Sequence, residues 1–249
     1  MVNVFSIVAL GFFLGMRHAT DPDHVIAVTT IISRYRKIGY AVLVGALWGV
    51  GHTLTILMVG SGIILSGWVI SPRVGLAMEL LVGLMLILLG ALNLTGVLQW
   101  MNNTFDPARR AAGAPHRHAH DFDPASGNWF DRHFGKIGLY QVVRPLIVGL
   151  VHGLAGSAAI ALLVLSTIRN PKWAVAYLLV FGVGAIAGMM LITGAMVMPF
   201  VYAGGRFERI NHGLRIASGV VSVAFGLFVV CEISFVNGAF GSHPLWIPR

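Results

Sequence analysis

Cysteine is nearly missing from this chain, and charge is scarce. The single cysteine, Cys231, excludes an intramolecular disulfide and any metal cluster built on thiolates. Only 10% of the 249 residues are charged, and nine Asp+Glu stand against 17 Lys+Arg. A soluble domain carries about a quarter charged residues, so an ordinary cytosolic enzyme is excluded. No Gly-x4-Gly-Lys-Ser/Thr segment occurs, so this chain does not hydrolyse ATP through a P-loop.

What fills the sequence instead is apolar: 57% hydrophobic residues and a mean hydropathy of +0.82. An isoelectric point near 10.4 would suit a nucleic-acid partner. Here, however, the basic residues sit in short clusters between apolar runs, which is how membrane proteins set their orientation. The partner implied is a lipid bilayer, with no nucleic acid.

Six runs are long enough to cross a bilayer, about 2–32, 39–66, 74–98, 142–168, 173–200 and 214–236. The first lacks a basic leading segment and resumes after a polar interruption, so it is expected to stay as a span. Leu80–Leu89 does not alternate as a barrel strand would, so the spans are helices. The expected fold is an all-α polytopic membrane protein with six transmembrane helices. Segments 33–38, 99–141 and 201–213 hold ten basic residues: Arg34, Arg36, Lys37, Arg109, Arg110, Arg117, Arg132, Lys136, Arg206 and Arg209. The opposite side holds four, Arg73, Arg169, Lys172 and Arg249. The positive-inside rule then makes the first set cytoplasmic and puts both termini outside a plasma (inner) membrane.

Two inverted three-helix repeats are one reading of the pattern. Gly83/Gly90 and Gly219/Gly226 share a spacing on helices three and six, and Gly15-Met-Arg-His18 resembles Gly149-Leu-Val-His152 on helices one and four. Transporters commonly use such halves, with the site at their interface. Chance matches among 31 glycines are the other reading. The chain divides into a first half at 1–98, a polar linker at 99–141 and a second half at 142–249. The linker carries Pro107, Pro115, Pro124 and the run His116-Arg-His118-Ala-His120. That run is read either as a cytoplasmic metal trap, able to receive metallochaperones, or as a plain solvated linker.

The decisive stretch is Arg17-His18-Ala19-Thr20-Asp21-Pro22-Asp23-His24, in the middle of the first span. Each charge at bilayer depth costs about 2.5–3.5 kcal/mol on insertion scales, so the cluster needs a bound partner or a polar cavity. His18, Asp21 and His24 follow at i, i+3 steps on one side of a helix. Pro22 cannot donate to the carbonyl of His18, so the helix should kink or open, freeing carbonyl oxygens and admitting Asp23. Imidazole and carboxylate donors without thiolate suit Ni²⁺, Co²⁺ or Zn²⁺. Arg17 is expected to balance the two aspartates when the ion is absent. The alternative is a structural knot of ion pairs and caps.

His52, in Trp48-Gly-Val-Gly51-His52-Thr53, and His152, before Gly153, are flanked by glycines that let neighbouring helices come close. They complete the expected ligand set, each with an interhelical hydrogen bond as its plainer alternative. Asn93 and Thr193 are read as outer partners of the ligands or as helix–helix glue. Glu79 and Glu232 fall near span ends and are left out of the site.

The block from Arg17 to His24 resembles the signature of the nickel/cobalt transporter family (NiCoT), in which Arg-His-Ala-x-Asp-x-Asp-His lies in a membrane helix and is required for metal uptake. Gly51-His52-Thr53 resembles that family's Gly-His-Ser/Thr element. Typical members have eight spans and acidic blocks in the second half. The corresponding segments here, Gly149–Gly156 and Gly188–Gly194, lack those acids, which brings the chain nearer the shorter, urease-associated nickel permeases. The resemblance implies a permease, not an enzyme, that takes up Ni²⁺ or Co²⁺ as transported substrate and needs no cofactor. Rival readings are a Ni/Co exporter, a membrane haem protein ligated by His18, His52 or His152, and a metallo-hydrolase.

Overall fold

The computed structural model describes residues 4–33, 37–66, 70–97, 142–155, 168, 170–204, 208–241 and 244–246. The linker 99–141 with its His116–His120 run, Arg34, Arg36, Arg206 and the second part of the span at 142–168 lie outside them. Seven α-helices are described: α1 (Val4–His18), α2 (Pro22–Ile32), α3 (Ile38–Ser66), α4 (Pro72–Leu94), α5 (Val142–Ala155), α6 (Pro171–Gly204) and α7 (Glu208–Cys231). A single π-turn, Glu232–Val236, ends α7. Among the described residues there is no strand. Four stretches, Ile38–Ser66, Pro72–Leu94, Pro171–Tyr202 and His212–Val236, are each long and apolar enough to cross a membrane.

The first apolar run is not one helix. α1 stops at His18 and α2 starts at Pro22, with Asp21 extended at φ −60° and ψ 143°. Proline disfavours helical geometry in the residue before it, while its fixed φ suits the first position of a new helix. Pro72 starts α4 in the same way, after an extended Ser71. Two of the carbonyls that the break could free are taken up by a tight turn. Arg17 and His18 accept the N–H groups of Thr20 and Asp21 at 2.8 and 3.1 Å.

Glycines set how closely the helices approach. α3 packs along α6 in opposite directions: Gly45 meets Met189 and Thr193, Gly49 meets Ile186, and Gly182 meets Thr53. α4 packs along α7 likewise, Gly83 against Gly226 and Gly90 against Gly219; a methyl at Gly90 would come 2.7 Å from the carbonyl oxygen of Gly219, and one at Gly226 2.7 Å from that of Gly83. The shorter helices run alongside the long ones in the same direction. Gly184 and Gly188 of α6 receive the backbone of Phe12 and Met16, and Gly51 of α3 receives that of Leu146 and Leu150. Small residues give such backbone-to-backbone contact, and lipid offers no hydrophobic drive to replace it. The main core gathers Ala27, Val28, Ile31 and Ile32 of α2 with Val44 and Trp48 of α3, Leu86 of α4 and Met189 of α6. Large apolar side chains such as Phe13, Met58, Leu88 and Leu191 point outward, as a lipid-facing surface requires.

Candidate metal centre

The break between α1 and α2 places four potential ligands where two other helices, α3 and α5, converge. His18 ends α1, Asp21 precedes Pro22, and Asp23 and His24 occupy the first turn of α2. His52 comes from the middle of α3, where Gly51 admits α5 and so lets His152 approach. His24, His52 and His152 are buried, whereas Asp21 and Asp23 keep 47% and 31% of their side chains exposed. The carboxylates therefore face the open side and the imidazoles the protein.

The contacts form two groups, which pack together where the rings of His18 and His24 lie with centroids 4.7 Å apart. His18 Nδ1 lies 2.8 Å from Asp21 Oδ2, and His18 Nε2 lies 3.1 Å from His52 Nε2. Asp23 Oδ1 is 3.0 Å from His24 Nδ1, while Asp23 Oδ2 is 3.0 Å from His152 Nε2. A carboxylate only accepts, so neutral imidazoles have one consistent assignment. His18 donates from Nδ1 to Asp21, leaving its Nε2 to accept from His52. His24 and His152 both donate to Asp23. The lone pairs then fall on His24 Nε2, His52 Nδ1 and His152 Nδ1, and all three atoms are buried without a hydrogen-bond partner. Buried polar atoms are rarely left so, and three imidazole lone pairs in one cluster suit a cation.

One ligand atom from each of His18, His24 and His52 lies within 4.8 Å of the others, and the same holds for Asp23, His24 and His152. Donors about 2.1 Å from a common ion are about 3–4 Å apart, a little inside the 4.8 Å that bounds each triad. His24 belongs to both and is the hinge of the set. The carboxylate–imidazole pairs fix each ring's orientation in the manner of outer partners at metal sites.

Five of the six expected ligands thus fall in one triad or the other, Asp21 touches them through His18 alone, and the geometry adds Trp48 and Glu79. The buried indole of Trp48 stacks on His24, with centroids 5.6 Å apart and planes 24° apart, and meets His152 edge-on at 5.5 Å. Its position four residues before His52 puts both on one side of α3, the only signal the sequence carries. Glu79, set aside above as an end-of-span residue, lines the same cavity of about 390 Å³ as His18, Asp21, Asp23, His24 and His152. Asn93 instead bonds the carbonyl of Arg215 and the hydroxyl of Ser218, joining α4 to α7, and Thr193 bonds back onto the carbonyl of Met189 within its own helix, α6. Arg17 is exposed, and the two aspartates pair with histidines in its place.

Comparison with known proteins matches residues 4–241 to the NicO family, described as a high-affinity nickel-transport protein. The chain is 34% identical over 246 residues to the urease accessory protein UreH of Bacillus sp. (strain TB-90), covering 99% of this chain and 98% of that one. No solved structure matches it significantly.

Proposed function

This chain belongs to the NicO family of high-affinity nickel-transport proteins, and from that premise we propose a six-helix secondary transporter that carries Ni²⁺, with Co²⁺ second, into the cytoplasm. Nickel is the transported substrate rather than a cofactor, and the protein is not an enzyme. The observation that carries the proposed site is the network in which Asp23 joins His24 to His152 at the floor of the cavity, beside the His18–His52 pair. In this reading the ion exchanges its water for His18, Asp21, Asp23, His24, His52 and His152. Two carboxylates neutralise its charge in surroundings where an unpaired charge is expensive.

The register of the glycine contacts supports six spans in two inverted halves, 1–98 and 142–249, joined by the linker 99–141. α1 lies along α6 as α5 lies along α3, in each case in the same direction, while α3 against α6 and α4 against α7 run in opposite directions. The correspondence is detailed: Gly15 faces Phe181 and Ala185 of α6, and Gly149 faces Trp48 and His52 of α3. In this reading a two-fold axis in the membrane plane would relate such pairs, and rocking of the halves about a midplane site would alternate access.

Inward transport is favoured by the resemblance to urease-associated permeases and by a relative named as a urease accessory protein. On the loop charges, the protein lies in the inner membrane with both termini outside. The His116, His118 and His120 segment then faces cytoplasmic metallochaperones. The haem reading loses its support, since two carboxylates among the imidazoles suit a divalent ion and not an apolar haem pocket. Radiolabelled Ni²⁺ flux into vesicles, for wild type, His18→Ala and Asp23→Asn, tests the proposal. Loss of flux in both variants is expected. Unchanged flux in both sinks the ligand set, and no wild-type flux in either direction sinks secondary transport.

A further inference from the structure

On the transport reading just given, we propose that Glu79 is a capture carboxylate for the incoming divalent cation and that Trp246 latches it until the ion takes the indole's place. The cavity wall along α4 runs from Glu79 through Val82 to Leu86, about 10 Å of helix. Phe225 and Val229 of α7, which packs against α4 here, line it as well. A cation in this cavity therefore meets polar groups at two levels, Glu79 and the imidazole–aspartate cluster, with apolar wall between them.

Trp246 reaches Glu79 because the chain beyond α7 folds back. Gly238 has φ +62°, its carbonyl accepts the N–H of Gly241 at 2.8 Å, and Leu245 donates to the carbonyl of Asn237 at 3.0 Å. The indole ring then lies on Gly75, where a Cβ would collide with it. Gly75 is one turn before Glu79, so a ring seated in that notch brings Nε1 to 2.9 Å from Glu79 Oε1. A neutral N–H is a weaker partner for a carboxylate than a divalent cation. Arrival of the ion at Glu79 therefore displaces the indole and frees the tail from the cavity wall.

The test is Ni²⁺ flux in proteoliposomes with Glu79→Gln, Trp246→Phe and, as reference, Asp23→Asn. Glutamine keeps an acceptor oxygen for the indole and removes only the charge. Phenylalanine keeps a ring on Gly75 and removes only the N–H. Glu79→Gln should raise KM about tenfold, with Vmax within about twofold, while Trp246→Phe should lower KM. A tail that merely braces α4 would move both variants the same way, and that result, or no change in KM in either, overturns the latch. Wild-type flux abolished by Asp23→Asn but untouched by Glu79→Gln removes the latch and leaves transport standing. Absence of wild-type flux removes the transport reading; the latch is then decided by a Val229→Cys reporter in a Cys231→Ser background. Its modification by a cationic thiol reagent should be several-fold faster with Trp246→Phe, and equal rates overturn the proposal.

Discussion

Asp23 Oδ2 and His152 Nε2 stand 3.0 Å apart, tying the break in the first apolar run to a helix from the other half of the chain. The other oxygen of the same carboxylate holds His24. One charge therefore orients two imidazoles, and the nitrogens it leaves bare, His24 Nε2 and His152 Nδ1, are buried without partners. The two rings are thus oriented by a residue that is itself a candidate ligand.

Asp23→Asn should lower Ni²⁺ affinity by about 100-fold, because it removes one charge from the ion and leaves one imidazole N–H facing an amide NH₂. Removing a charged partner from a buried hydrogen bond costs about 1.5–3 kcal/mol, and the lost attraction for the ion adds to it. Calorimetric titration of the purified protein measures this, with far-UV circular dichroism to show that helix content is kept. Wild-type affinity in the variant would remove Asp23 from the site.

His18 and His52 share a 3.1 Å contact, so they should not act independently. His18→Ala and His52→Ala are each expected to cut Ni²⁺ affinity severely, and the double variant to be scarcely worse than either single. Neighbouring residues of one network show couplings of about 0.5–3 kcal/mol. A double-mutant cycle on Ni²⁺ affinity measures the coupling, and strict additivity would mean that the two imidazoles do not serve one ion.

The site was readable in sequence to the extent that its parts broke a local rule. Charges in the middle of an apolar run singled out His18, Asp21, Asp23 and His24, and Pro22 announced a break that the structure contains. The pairing of Gly83/Gly90 with Gly219/Gly226 was visible as a shared spacing, since seven residues are about two turns of one helix face. Glu79 and Trp246 broke no local rule. Hydropathy puts Glu79 near the end of its span, and only the fold shows it lining the cavity, with the tail after Gly238 folded back to set Trp246 against it. Of the carbonyls the break at Pro22 could free, those of Arg17 and His18 are taken up because the chain closes a tight turn there at once. Four of the expected spans match long continuous helices, whereas the first is divided at the place where the ligands sit.

Pro22→Ala should weaken transport without unfolding the protein. Alanine restores the missing N–H and relaxes the restriction on Asp21, so α1 and α2 gain the option of joining into one helix. That helix would turn Asp21, Asp23 and His24 to new directions and pull Asp23 away from His152. Flux should fall about tenfold or more with thermal stability in detergent held or raised. Full flux in the variant would show that the break is not needed for the ligand geometry.

The glycines of α3 offer the sharpest separation of packing from chemistry. A methyl at Gly51 would run into the backbone carbonyl of Leu146 on α5, whereas one at Gly62 meets nothing within 4 Å. Overpacking of this kind costs about 1–3 kcal/mol, while alanine for glycine within an open stretch of helix gains about 0.5–1 kcal/mol. Gly51→Ala should therefore lower the melting temperature in detergent, and Gly62→Ala leave it equal or higher. Because α5 carries His152, the same displacement should weaken Ni²⁺ binding in Gly51→Ala although the site loses no donor atom. Equal stability in the two variants would contradict the close approach of α3 and α5. Lost stability with unchanged nickel affinity would place His152 outside the ion's reach.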